Sequence, residues 1–149
     1  MAKPQNGWAV RTKGHSNFML MVKTRVGPSD IAGLGLFADQ DIAKGTVTWQ
    51  FMRGYDLLLT RGEIDALPEQ ARSNLLDHTY HDAETGLYVL CADNARFMNH
   101  ADEPNTAGIH ETGAIEGYDV ATRDIKSGEE LTCDYRIFDA DVGIKLGGL

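Results

Sequence analysis

Apolar and β-branched residues fall along the chain in short runs, separated by Gly, Pro, Asn and Asp. From Phe18 to Val26 the content predicts a strand, closed by the turn signal Gly27-Pro28-Ser29-Asp30. Gly33 to Ala38, the turn Ala43-Lys44-Gly45 and the strand-like Thr46 to Phe51 continue as strand, turn, strand. A helical pattern starts at Thr60, where Thr60 and Glu63 have capping-box spacing and Pro68 suits the first turn of a second short helix. Ile64, Leu67, Ala71, Leu75 and Leu76 supply its apolar face at intervals of three and four. Leu87 to Cys91 reads as a buried strand, and Ile125 to Glu129 as a turn into a strand over Glu130 to Tyr135. In that last strand, alternation puts Leu131, Cys133 and Tyr135 on one face. The pattern predicts a β-rich fold, mainly β with one or two short helices, rather than an alternating α/β one. Residues 1–17 lack periodicity and read as an N-terminal arm, 18–138 as the folded domain, and 139–149 as a C-terminal tail whose end is expected to fray.

Composition narrows the class. A chain of 149 residues with 42% hydrophobic and 24% charged residues fits one globular domain. The longest apolar stretch, Phe18 to Val22, is far short of the ~20 residues that cross a bilayer, so no membrane span is expected. The segment Met1 to Asn6 has no apolar h-region, and a cytoplasmic location is the expectation. Cys91 and Cys133 make no C-x-x-C pair and are read as reduced thiols. A net charge of −8 opposes binding to a phosphate backbone and suits a basic partner, so no direct nucleic-acid contact is expected.

Three segments carry candidate chemistry. Gly33-Leu34-Gly35-Leu36-Phe37-Ala38 nominally fits the dinucleotide pattern, with Asp56 near the spacing of a ribose acid. Its context does not: a Pro-containing turn precedes it and a Lys-Gly turn with β-branched residues follows, where a dinucleotide site needs a strand before and a helix after. Asn94 to Asn105 is a polar cluster whose Asn and His side chains suit a ligand with both ammonium and carboxylate groups, or alternatively a hydrogen-bonded turn. Gly128 to Tyr135 ends in a tyrosine that is either a core residue or a site residue.

Taken together and in this order, the three resemble the signature of the SET-domain protein lysine methyltransferases: a G-x-G loop, then N-x-R-F-x-N-H-x-x-x-P-N, then G-E-E-L-T-x-D-Y. The resemblance covers the chain from Gly33 to Tyr135 and implies small curved sheets with a knot-like threaded C-terminal segment, an exception to unthreaded connections. It implies S-adenosyl-L-methionine as cofactor, contacted by Gly33, Leu34, Gly35, Arg96, Phe97, Asn99 and His100. Close approach at the loop would use the missing glycine side chains. It further implies Tyr135 as the catalytic tyrosine beside the transferring methyl group. The acceptor would be the amine of a lysine in a protein or peptide, probed through a channel that includes Cys133, Tyr135 and Phe138. A basic protein such as a histone fits the acidic balance; a non-catalytic SET-like module that binds basic peptides is the alternative.

The chain departs from the family pattern at Leu34, where an aromatic residue often stands, at Ala101, where serine often follows Asn-His, and at Cys133, where Tyr or Phe is usual. The smaller Cys133 leaves room for a methylated amine and predicts di- or trimethylation. The family's flanking zinc-binding cysteine clusters are missing, so the tail after Phe138 or a second copy of the chain in a homodimer is expected to complete the channel. No metal is expected: His78 and His81, near Asp77 and Asp82, read as an exposed helix end.

Overall fold

A computed structural model of the chain describes residues 20–110, 112–113 and 117–147. The expected arm over 1–17, Phe18 and Met19 of the first expected strand, and the last two residues of the tail lie outside them.

In chain order the strands are β1 (Thr24–Pro28), β2 (Leu34–Ala38), β3 (Val47–Gln50), β4 (Leu57–Leu59), β5 (Thr79–His81), β6 (Tyr88–Leu90), β7 (Asn99–His100), β8 (Thr106–His110), β9 (Gly117–Ala121) and β10 (Glu130–Cys133). The helices are α1 (Arg61–Asp65), α2 (Glu69–Leu76), α3 (Tyr135–Phe138) and α4 (Val142–Lys145), and a 3₁₀ turn covers Asn94–Phe97. Short strands in three small sheets, with a few short helices, make the β-rich fold that the hydrophobic pattern predicts. The sheets run β1-β2-β10-β7, β3-β9-β8 and β4-β6-β5. None of the described helices is long and apolar enough to cross a membrane.

The first hairpin begins and turns later than expected. Segment 20–23 is not a regular strand, because Leu20 bridges to Trp49 in another sheet and Lys23 N–H bonds the Gln40 side chain at 2.9 Å. β1 then runs through Gly27 and Pro28, which pair with Gly35 and Leu34. Proline lacks an N–H to donate but is tolerated here because β1 is an edge strand. The turn itself is Ser29 to Gly33, closed by Ser29 N–H to the Gly33 carbonyl at 3.0 Å.

Thr60 and Glu63 form the expected capping box at α1. Pro68, by contrast, stands at the N-cap of α2 rather than within its first turn. Of the expected apolar face only Ile64 is buried, and α2 buries none of its residues, because two short turns lie on the surface. The last expected strand stops at Cys133, two residues early. Asp134 accepts the Arg136 N–H at 3.0 Å and caps α3, so Tyr135 opens a helix and does not share a strand face with Leu131 and Cys133.

Two apolar clusters hold these layers. Leu36, Ile42, Ile125 and Leu131 centre the first, between β2 and β10. Trp49, Phe51, Val89 and Cys91 form the second, and partly buried Leu20 packs against both. The second cluster backs the cavity described next.

Candidate active site

β10 lies between β2, which carries the glycine loop, and β7, which carries Asn99 and His100. Parallel pairing puts Asn99 beside Thr132 and His100 beside Cys133. Buried Asn105 fastens this edge, accepting Thr132 N–H at 2.9 Å and donating to the Glu130 carbonyl at 2.8 Å. Asparagine as a staple of backbone groups is therefore realised at Asn105.

Asn99 meets the glycine loop directly. Its Nδ2 lies 3.1 Å from Ser29 Oγ, from the Ala32 carbonyl and from the Leu34 carbonyl, and 2.8 Å from Glu130 Oε1. Ser29 Oγ in turn donates to the Glu130 carboxylate at 2.8 Å. An amide nitrogen has only two hydrogens, so these acceptors outnumber what Asn99 can satisfy, and the surplus faces the loop. Gly33 adopts a left-handed φ of +47°, where glycine is unstrained. Gly35 is constrained differently from expectation: a Cβ there would stand 2.2 Å from Glu130 Oε1, so the space left by the missing side chain is filled by Glu130. Leu34 is half exposed, and the loop's outer face is open.

His100 and Tyr135 complete the cluster. Tyr135 N–H donates to His100 Nδ1 at 3.1 Å, which makes Nδ1 an acceptor and puts the neutral ring's proton on Nε2. Tyr135 O–H donates to the Met98 carbonyl at 2.6 Å. Burial pushes the phenol pKa up, so the group stays a protonated donor. Nearby Asp134 is held below the usual carboxylate range, chiefly by its bond to Arg136. Arg96 is exposed with its guanidinium 5.0 Å from the centre of the Phe97 ring, and that ring meets His78 edge-on at 5.7 Å. Their 3₁₀ turn packs against β2, but neither residue shares the hydrogen bonds that join the loop to Asn99.

Behind Met98 opens a cavity of about 130 Å³. One wall is the β3-β9-β8 sheet, with Trp49, Gly108 and Asp119; Tyr80, Cys91, Cys133 and Phe138 form the other. Phe138 meets Tyr80 edge-on at 5.1 Å and Tyr135 at 6.0 Å. Burial pushes up the pKa of Tyr80, Cys91 and Cys133, which leaves all three neutral. Among the described residues none beyond Phe138 lines the cavity. The tail is tied down beside it instead, where Lys145 Nζ bonds the buried Asp139 carboxylate and the Thr79 carbonyl.

His78 and His81 have separate partners. His78 Nδ1 bonds the Asn74 carbonyl at 2.9 Å, whereas His81 pairs with Asp141 at 3.2 Å and stacks on Tyr88. The residues that sequence reasoning missed are Ser29, Glu130, Trp49, Tyr80, Met98 and Asp119. Glu130 lay inside the G-E-E-L string without a role. Asp119 carried a signal, as the lone acid within the strand Gly117–Ala121. Met98 acts through its carbonyl, which no residue type announces.

Comparison with known proteins agrees with this arrangement. The SET domain family matches residues 33–136. The chain is 27% identical over 124 residues to histone-lysine N-methyltransferase 2D of Homo sapiens and equally to that of Mus musculus; the match covers 72% of this chain and 2% of each relative, so the chain spans a small fraction of their length. Its fold is similar to a chain of the Chaetomium thermophilum Polycomb Repressive Complex 2, with a TM-score of 0.61 at 24% identity over 84% of this chain and 17% of that one. A Plasmodium falciparum chain described as a candidate histone methyltransferase superposes with a TM-score of 0.54 at 20% identity, over 78% of this chain and 95% of that one. With glycine loop, Asn-His strand and terminal tyrosine joined as above, and the family matched over most of its length, this chain belongs to the SET domain family.

Proposed function

We propose that the protein transfers methyl groups from S-adenosyl-L-methionine to the side-chain amine of a lysine in a basic protein such as a histone. The observation that carries this reading is the position of Met98 and Asn99. Met98 lines the cavity and takes the Tyr135 hydroxyl on its carbonyl, while Asn99, the next residue, joins the glycine loop on the opposite side. A polar cradle and an aromatic cavity thus meet back to back across one peptide unit.

The residues present fit the cofactor. Surplus acceptors around Asn99, namely the Ala32 and Leu34 carbonyls and the Glu130 carboxylate, suit an ammonium group, and the open face of Leu34 admits it. Gly33, Leu34, Gly35, Asn99 and His100 would hold it, with Arg96 and Phe97 at the edge. When bound, S-adenosyl-L-methionine supplies a methyl group on a sulfonium that a neutral amine can displace in line.

The protein's part is positioning and desolvation. A lysine amine in water has a pKa of about 10.4 and must lose a proton before it can attack. A cavity walled by Trp49, Tyr80, Met98 and Phe138 disfavours the ammonium form, and no strong base is needed. Tyr135 stands beside the cavity, against Phe138, rather than among its lining residues; anchored through Met98 and His100, it would orient the amine from there. Incubation with labelled S-adenosyl-L-methionine and a panel of basic proteins, followed by mapping of the label, is the test. Label on a lysine amine is the expected result. Cofactor binding with no transfer to any panel member would point instead to a non-catalytic module that binds basic peptides.

A further inference from the structure

One half-buried acid in the cavity has no part in the chemistry above. Asp119 stands in register with Trp49 on one side and Gly108 on the other. A Cβ on Gly108 would lie 3.3 Å from Asp119 Oδ1, so the carboxyl leans over the glycine on the cavity side. Loss of solvation in the cavity wall pushes its pKa up to about 6. Beside it, the indole N–H of Trp49 is buried and lacks an acceptor among the described residues. Buried polar groups are rarely left unmatched, so this row of the wall, an indole N–H beside a desolvated carboxyl, suits a polar occupant of the cavity. The wall opposite is aromatic, through Tyr80 and Phe138. A carboxylate facing aromatic rings is complementary to a cation on a slender apolar stem.

We propose that Asp119 is a specificity-determining residue of this cavity, its carboxylate receiving the ammonium of the entering side chain before that group gives up its proton, so that charged amines are drawn in and neutral side chains of similar shape are not. The proposal rests on the methyltransferase reading for the identity of that side chain, but amine capture is separable from methyl transfer. Among the described residues Asp119 shares the cavity lining with two other carboxyls, Asp82 and Asp134. Tyr80, Cys91 and Cys133 are neutral, and Asp134 is paired with Arg136. Asp82, Tyr118 and His110 also border the cavity. His110 brings an imidazole to the same cavity, so His110→Gln is the needed control.

The test measures binding of n-butylammonium and of n-butanol by calorimetry on the full chain from pH 5 to 8, with the KM and kcat of a histone peptide followed in parallel. n-Butylammonium is expected to bind in preference to the alcohol and to tighten as pH rises through about 6, where the carboxyl ionises. Asp119→Asn is expected to weaken it by about tenfold or more and to flatten the pH limb, because the charge-assisted bond is lost. It should raise the peptide KM more than it lowers kcat. Asp119→Glu should restore a limb, and His110→Gln should leave it in place. Should Asp119→Asn not fold, the Glu variant and the wild-type limb decide the matter. Equal binding by wild type and Asp119→Asn, or a limb that disappears with His110→Gln, overturns the proposal even if methyl transfer proceeds. Capture of n-butylammonium that depends on Asp119, with no methyl transfer, would uphold it and sink the methyltransferase reading instead.

Discussion

Tyr135 shows how narrow a single residue's requirement can be. Its hydroxyl is protonated, half-buried and committed to the Met98 carbonyl at the junction of cradle and cavity. Tyr135→Phe keeps the ring packed on Phe138 but removes the donor and the group proposed to orient the amine. Turnover is expected to fall by about 10²-fold or more, with the dissociation constant for S-adenosyl-L-methionine within a few-fold of wild type; unchanged methyl transfer would remove Tyr135 from the mechanism. Cys133 acts through what it lacks. It lines the cavity in register with His100, where a phenol would project into the space a methylated amine needs. Wild type is expected to yield di- or trimethyllysine and Cys133→Tyr to stop at monomethyl. Mass spectrometry of the modified peptide reads both, and a monomethyl product from wild type would show the idea wrong.

At the scale of elements, local signals were read well where the chain's own chemistry sets the structure. The α1 capping box is local: Thr60 and Glu63 satisfy each other's backbone N–H groups, and neither needs a distant partner. Thr60→Ala is expected to cost about 1 kcal/mol, seen as a lower urea midpoint with an unchanged slope. Ends set by neighbours were misread. β1 begins late because segment 20–23 bridges to other parts of the chain, and β10 ends early because Asp134 caps α3. Alternation in Leu131-Thr132-Cys133-Asp134-Tyr135 looks like continuous strand; the Asp in fourth place also reads as a helix cap, and only the surroundings choose between them.

Across the whole molecule, the cavity sets stability against recognition. The Asp119 carboxyl is raised to a pKa of about 6, well above the ordinary value, because desolvation in the fold penalises its charged form. The favourable contribution of its neutral form is complete below the unfolded pKa, near 4, and is lost as pH rises through 6. At about 1.4 kcal/mol per pKa unit, the desolvated charge costs about 3 kcal/mol at neutral pH. Asp119→Asn should therefore melt several degrees above wild type at pH 8 and close to it near pH 4, while binding amines less well. The lowered carboxyls of Asp41, Glu63, Glu129 and Asp134 work in the opposite sense, but they are common to both proteins and cancel in the comparison. An Asn variant that is no more stable at pH 8 would mean the carboxylate finds a partner in solution.

By itself the sequence determined the β-rich class, the capping box and the motifs from Gly33 to Tyr135, because those rest on residue type and near-neighbour spacing. That Asn99, His100 and Tyr135 belong to one site was implied only by the resemblance of those motifs to the SET-domain signature. Tertiary structure alone decided that Glu130 fills the space above Gly35, that Met98 offers its carbonyl to Tyr135, and that Asp119 faces Cys133 and Tyr80 across a cavity. Each of these joins segments from different strands, and a carbonyl or a desolvated carboxyl acquires its role from what stands opposite, which depends on sheet order and register rather than on local spacing.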